Sequence, residues 1–139
     1  MTPAALADLH ARAFTVPRPW TAAEIADLLA GPHVFLIAAP GGQGFLMGRV
    51  VAGEAELLTI AVAPEARRQG LGAGLVARFL AEAAARGAEV AHLEVAADNA
   101  GAIALYEGAG FARAGLRRGY FQLPGGPRID ALVMTRRLP

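Results

Sequence analysis

Apolar residues recur at helical spacing in several parts of the chain, and capping residues delimit these segments. The pattern predicts helices over residues 3–14, 21–30, about 75–86 and 99–106. Thr21 followed three residues later by Glu24 predicts a capping box at the start of the second helix. The helical part of the chain is therefore set largely by local signals.

Short apolar runs bounded by glycine or proline predict six strands. They cover residues 33–39, 44–51, 54–62, 88–96, 111–118 and 129–137. Antiparallel strands come first, and one parallel strand–helix–strand crossover lies in the middle. We therefore expect an α/β fold with a mixed sheet, built as one domain over residues 1–139.

Composition removes several functional classes from consideration. The net charge is +1, so no overall field favours a nucleic acid or a membrane surface as partner. The chain has no cysteine, and its three histidines are far apart in sequence, so we expect no metal site. The amino terminus lacks a signal-peptide pattern, and no apolar run reaches the length of a membrane span, so we expect a cytoplasmic protein.

Residues 63–74 form a glycine-rich segment between a strand and a helix. Gly70, Gly72 and Gly74 would let backbone N–H groups approach an anion, and the helix dipole favours negative charge there. Arg67 and Arg68 add positive charge. The alternative is a turn whose glycines serve only tight helix–sheet packing. The segment is thus a candidate phosphate site.

Two nucleotide-binding motifs fit this segment poorly. A nucleotide P-loop requires Lys followed by Ser or Thr, and the chain has no lysine. A dinucleotide fingerprint requires a third glycine where the chain has Leu75, although Glu94 could stand in for the ribose-binding acid.

Residues 67–72, Arg-Arg-Gln-Gly-Leu-Gly, match the Arg/Gln-x-x-Gly-x-Gly/Ala motif of the GNAT acetyltransferases. Residues 59–64, the segment 93–99 and residues 104–111 also resemble that superfamily. Residues 117–121 and 130–134 are similar to one group within it, the ribosomal-protein-alanine N-acetyltransferases (the RimI group). The resemblance spans about residues 14–137, and it implies the GNAT fold with acetyl-CoA as cosubstrate.

Two departures accompany the resemblance. Chains of the RimI group usually open with a strand, whereas this sequence begins in a helix, so we expect the sheet to lack its first strand. Ala73 stands where relatives can carry arginine, so one phosphate contact would be missing.

The resemblance also implies roles for individual residues. Glu94 would be the general base and Tyr106 the general acid of acetyl transfer. The remaining residues would hold the cosubstrate through its acetyl, pantetheine and pyrophosphate parts: Ile60, Ala61, Val62, Arg68, Gln69, Gly70, Leu71, Gly72, Ala73 and Asn99.

Each candidate has a simpler interpretation. Glu94 could be a solvent-facing strand residue, Tyr106 a packed core tyrosine and Asn99 only a helix cap. His92 lies on the same strand face as Glu94 and is a rival base.

The acceptor side is predicted to involve Trp20, Glu24 and residues 117–121. The resemblance implies a primary amine as acceptor, with the N-terminal alanine of a small-subunit ribosomal protein as the first choice. A small amine, a lysine side chain, or a non-catalytic acyl-CoA-binding module are the alternatives. We expect a monomer or weak dimer whose partner is a protein or peptide N-terminus.

Overall fold

The computed structural model describes residues 1–13, 19–67, 69–122 and 125–139. Its four α-helices and six strands are α1 (Pro3–Ala13), α2 (Ala22–Leu29), β1 (Val34–Ala38), β2 (Gly44–Val51), β3 (Glu54–Val62), α3 (Leu71–Ala85), β4 (Val90–Ala96), α4 (Ala100–Gly108), β5 (Ala112–Gln122) and β6 (Arg128–Arg137). Within these residues α1 precedes the first strand. None of the described helices is long and apolar enough to cross a membrane.

The strands form one mixed sheet in the order β1-β2-β3-β4-β6-β5. β3 and β4 are parallel, and every other neighbouring pair is antiparallel. The predicted mixed α/β fold with one central parallel crossover is confirmed. The helix between β3 and β4 is α3, as a crossover of this kind requires.

Helices cover both faces of the sheet and create two cores. The back face packs against α3 and α4 around Phe79, Leu93 and Tyr106. The front face packs against α1 and α2 around Leu6, Ile25 and Phe45. The sheet separates the two cores, and the candidate site lies within the sheet.

The parallel strands β3 and β4 pair only over their first residues, from Glu54↔Val90 to Glu56↔His92. Beyond Glu56 the two strands diverge. β3 carries a β-bulge at this point, because Met47 of β2 pairs with Thr59 whereas Gly48 pairs with Leu57, which leaves Leu58 as an extra residue. A bulge bends a strand, so it directs β3 away from β4.

The capping box predicted at α2 is present: Glu24 N–H donates to Thr21 Oγ1 at 3.2 Å and Thr21 N–H donates to Glu24 Oε1 at 3.1 Å. The predicted start of α3 was wrong. The helix begins at Leu71, so Gly72 and Gly74 belong to its first turns and not to the preceding loop. Glycine disfavours helix, but packing of Leu75, Val76 and Phe79 against the sheet holds the helix in place.

Candidate functional site

A cleft of about 1130 Å³ opens between the diverging ends of β3 and β4. Of the described candidates, all but Gln69 line it: Ile60, Ala61, Val62, Gly70, Leu71, Gly72, Ala73, Glu94, Asn99 and Tyr106. Gln69 is exposed, and Arg68 lies outside the described residues. The fold thus brings together residues that are far apart in the sequence.

The N-terminus of α3 forms one end of the cleft. The first helical hydrogen bond joins Gly74 N–H to Gly70 O at 3.0 Å, so the N–H groups of Leu71, Gly72 and Ala73 have no partner within the helix. Neither a side-chain cap nor an acidic residue in the first turn competes for them. These donors and the helix dipole make the end of α3 suited to an anion such as a phosphate.

Two glycines shape this end of the cleft. Gly70 has φ +78°, a conformation that side-chain-bearing residues adopt rarely, and it begins the helix without a side chain of its own. A Cβ at Gly72 would lie 3.3 Å from Leu105 Cδ2, at the lining of the cleft. Bare backbone is therefore presented where a ligand would approach the helix.

Backbone from β3 forms one wall. Ile60, Ala61 and Val62 pair with β2 along one edge of β3, and β4 does not cover their other edge. That edge has polar backbone groups that a ligand in the cleft can reach.

Glu94 lies on β4 and reaches the front face, because its neighbours Leu93 and Val95 belong to the back core. Its Oε2 is buried and has no hydrogen-bond partner among the described residues. Its Oε1 lies 3.6 Å from Nη2 of Arg117 on β5. A buried carboxylate oxygen without a partner is costly in a native protein and marks a place where a donor is expected to bind.

Arg117 and Tyr120 lie beside Glu94. The guanidinium of Arg117 is 5.3 Å from the centre of the Tyr120 ring. The negative charge of Glu94, followed by burial, raises the pKa of the Tyr120 phenol. Tyr120 also lines the cleft, so the predicted segment 117–121 reaches the site.

Tyr106 lies on α4 and is 5% exposed, with its ring edge-on to Phe111 at 6.1 Å. It belongs to the back core, and it also lines the cleft. Burial raises the pKa of its phenol, so the hydroxyl keeps its proton at physiological pH. Tyr106 is thus both a core tyrosine, as the simpler interpretation held, and a proton-bearing group at the cleft.

The two catalytic candidates belong to opposite faces of the sheet. Glu94 lies on the front face and Tyr106 in the back core, and the opening between β3 and β4 connects the two faces. The cleft is therefore lined by residues from both faces of the sheet.

Two predictions need correction or refinement. Glu24 was expected on the acceptor side, but it forms the cap of α2 and is not among the lining residues. Asn99 caps α4 by accepting a hydrogen bond from Ala102 N–H at 3.1 Å, and it lines the cleft as well.

Some polar residues that were not predicted as site residues also lie at the cleft or behind its wall. Glu56 and Thr59 line the cleft from β3, and His10 of α1 lies behind Thr59. The alternation of apolar and polar residues along β3 could have indicated that Glu56 lines the cleft. The bulge at Leu58 changes which face Thr59 occupies, and no local pattern shows it.

Comparison with known proteins agrees with this fold. The acetyltransferase (GNAT) family model matches residues 4–111, and the chain belongs to that family. It is 47% identical over 91 residues to the ribosomal protein bS18-alanine N-acetyltransferase of Escherichia coli (strain K12), an alignment that covers 66% of this chain and 61% of that protein. It is 37% identical over 137 residues to the N-alpha-acetyltransferase RimI of Mycobacterium tuberculosis (strain H37Rv), covering 94% of this chain and 83% of that protein.

Among solved structures, the ribosomal-protein-S18-alanine N-acetyltransferase from Escherichia coli superposes with a TM-score of 0.84 at 36% identity. The superposition covers 96% of this chain and 86% of that one. The predicted superfamily and its fold are therefore confirmed.

Proposed function

We propose that this chain transfers the acetyl group of acetyl-CoA to a primary amine, and that the amine is the N-terminal α-amine of a protein. The observation that carries the proposal is the cleft between β3 and β4, which joins an anion-binding helix terminus to a carboxylate with an unpartnered oxygen. A pyrophosphate suits the first feature and an ammonium or amine suits the second. Membership of the GNAT family supports the reaction type.

Three groups of residues bind different parts of the cosubstrate. The N–H groups of Leu71, Gly72 and Ala73 bind the pyrophosphate, and Gly70 begins the helix beside them. Arg68 and Gln69 are assigned to the same ligand by the family resemblance. Backbone groups of Ile60–Val62 orient the acetyl and pantetheine portion along β3. Asn99, which starts α4, contacts the same cosubstrate.

Glu94 accepts a proton from the acceptor ammonium, directly or through one water molecule. The free amine nitrogen then bonds to the acetyl carbon while the carbon–sulfur bond breaks. Tyr106 supplies a proton to the departing sulfur, which leaves as a thiol. The nitrogen's second proton returns to the Tyr106 phenolate through water, and Glu94 releases the proton that it accepted to solvent. Overall, an ammonium and a thioester give an amide, a thiol and one proton released to solvent, so atoms and charges balance.

An α-amine is the preferred acceptor on chemical grounds. Its reference pKa is about 8, whereas that of lysine is about 10.4, so a single carboxylate suffices near neutral pH. The names of the relatives from Escherichia coli and Mycobacterium tuberculosis support a protein N-terminus, and the former supports the alanine of a ribosomal protein.

An acceptor screen with intact-mass readout tests the proposal. The purified protein and acetyl-CoA are offered a peptide with the N-terminal residues of that ribosomal protein. The same peptide with a blocked α-amine, a lysine peptide and polyamines serve as controls. We expect a single acetyl group on the free N-terminal peptide alone. Acetylation of lysine or polyamines in its place would establish a different acceptor, and acetyl-CoA binding without any transfer would establish a non-catalytic module.

A further inference from the structure

His10 lies in the middle of the front core and is 0% exposed. Its ring stacks on Trp20 with the centroids 5.2 Å apart, and it packs against Phe45 at 6.1 Å. A polar ring so fully enclosed must have its two nitrogens satisfied by neighbours.

The hydrogen bonds of His10 define its tautomer. The backbone N–H of Trp20 donates to Nδ1 at 3.1 Å, so Nδ1 is an acceptor and carries no proton. Nε2 therefore bears the hydrogen and donates it to Thr59 Oγ1 at 2.9 Å. Burial lowers the pKa of His10 to about 4, which keeps the ring neutral and this pattern intact at physiological pH.

Both partners of His10 line the cleft, whereas His10 is not among its lining residues. Trp20 belongs to the segment just before α2, and Thr59 follows the bulge of β3. His10 thus links three separate parts of the chain from behind the wall of the cleft, on the face that Glu94 occupies.

We infer that His10 is a positioning residue for the acceptor: it fixes Trp20 and Thr59 in the front wall of the cleft, where the acceptor lies next to Glu94. This inference rests on the proposed acetyl transfer. An apolar side chain of similar size would fill the same space, but it would not fix the direction of the Trp20 backbone or of the Thr59 hydroxyl. The hydrogen bonds, more than the volume of the ring, are what the acceptor side requires.

Three substitutions separate the effect of the hydrogen bonds of His10 from the effect of its ring volume. His10→Phe keeps an aromatic ring and removes both hydrogen bonds. His10→Asn keeps an acceptor near the position of Nδ1 for the Trp20 N–H. Thr59→Val removes only the hydroxyl and tests the second bond in a protein whose α1 is unchanged.

Trp20 is the single tryptophan of the chain, so its fluorescence reports on the front wall without any need for turnover. We expect His10→Phe to shift the Trp20 emission and to increase its quenching by acrylamide. We also expect it to raise the acceptor KM by about fivefold or more, with the Kd for acetyl-CoA unchanged, because loss of a buried hydrogen bond has an effect of that order. His10→Asn should show Trp20 fluorescence close to that of the wild type, and its acceptor KM should be raised much less than that of His10→Phe.

Unchanged Trp20 fluorescence and unchanged acceptor KM in His10→Phe and Thr59→Val would overturn the inference. Equal weakening of acetyl-CoA and acceptor binding, without recovery in His10→Asn, would also overturn it, since that is the result of a general scaffold defect. A wild-type protein that acetylates no amine would refute the proposed function instead, and the fluorescence would still show whether His10 holds Trp20.

Discussion

Nη2 of Arg117 lies 3.6 Å from Oε1 of Glu94, while Oε2 of the same carboxylate is buried and has no described hydrogen-bond partner. The arginine side chain is 57% exposed, and the carboxylate side chain is 26% exposed. A half-exposed cation is thus held loosely beside a carboxylate whose second oxygen lacks a hydrogen-bond partner within the described part of the chain. That arrangement is suited to exchanging one cationic group for another, as binding of an ammonium would require.

Replacing Glu94 by Gln should reduce the acetylation rate most strongly below the pKa of the acceptor. An α-amine has a reference pKa of about 8, so near neutral pH much of it is protonated and a base is needed. Rates of both proteins should be measured from about pH 6.5 to about pH 9, where rising pH should partly restore the variant.

His92→Gln is the matched control for that experiment, because His92 lies on the same face of β4. It should keep most of the activity. A loss in Glu94→Gln that is equal at every pH would assign Glu94 to substrate positioning. A pH-dependent loss in His92→Gln alone would identify His92 as the base.

Tyr106→Phe should keep the Kd for acetyl-CoA and lower kcat by a factor of about 10² to 10⁴, the usual effect of removing a positioned acid. The ring stays in the back core against Phe111, so the melting temperature should change little. Binding is measured by calorimetry and turnover by thiol release. Wild-type turnover in the variant would remove Tyr106 from the mechanism.

Gly72→Val should weaken acetyl-CoA binding by about tenfold or more. The branched side chain would lie at the first turn of α3, among the N–H groups proposed to bind the pyrophosphate. Its Cβ would meet only the flexible end of Leu105, so the fold should survive.

Gly74→Ala is the control in the same helix, since a Cβ there meets no atom within 4 Å. It should bind acetyl-CoA normally and be more stable by about 0.5–1 kcal/mol, because alanine favours helix. Normal acetyl-CoA binding by a folded Gly72→Val protein would show that the glycines serve only the packing of the helix.

Acid should destabilise the protein through His10. Burial lowers its folded-state pKa from 6.5 to about 4, and the negative charge of Glu24 opposes this shift only in part. Between these values the unfolded chain binds more protons than the folded protein, so the free energy of unfolding falls as pH falls. Titration of His10 should lower the free energy of unfolding by about 2 kcal/mol between neutral pH and about pH 5.

Urea unfolding of the wild type and of His10→Gln at the two pH values measures this difference. The variant has no titrating ring at this position, so its stability should depend less on pH. Equal pH dependence in the two proteins would show that His10 does not titrate on unfolding.

The local signals of the sequence were sufficient for most elements of the fold. Capping residues located α2, and alternating or continuous apolar runs located the strands to within a few residues. Family motifs selected residues that the fold brings to a common cleft, although the catalytic roles of Glu94 and Tyr106 remain predictions. The start of α3 was misplaced because its glycines resemble a loop, whereas packing of the helix against the sheet outweighs their low helix propensity.

The architecture of the site depends on contacts between distant residues that no local pattern contains. The bulge at Leu58 turns Thr59 toward α1 and separates β3 from β4, and a bulge depends on pairing with β2 more than on any residue of its own strand. His10 meets Thr59 across 49 positions of sequence, and Arg117 approaches Glu94 from a strand on the other side of β6. Periodicity, caps and motif residues could be recognised in the sequence because they depend on near neighbours. Contacts between distant residues follow from how the packed elements meet, so they became visible only in the folded chain.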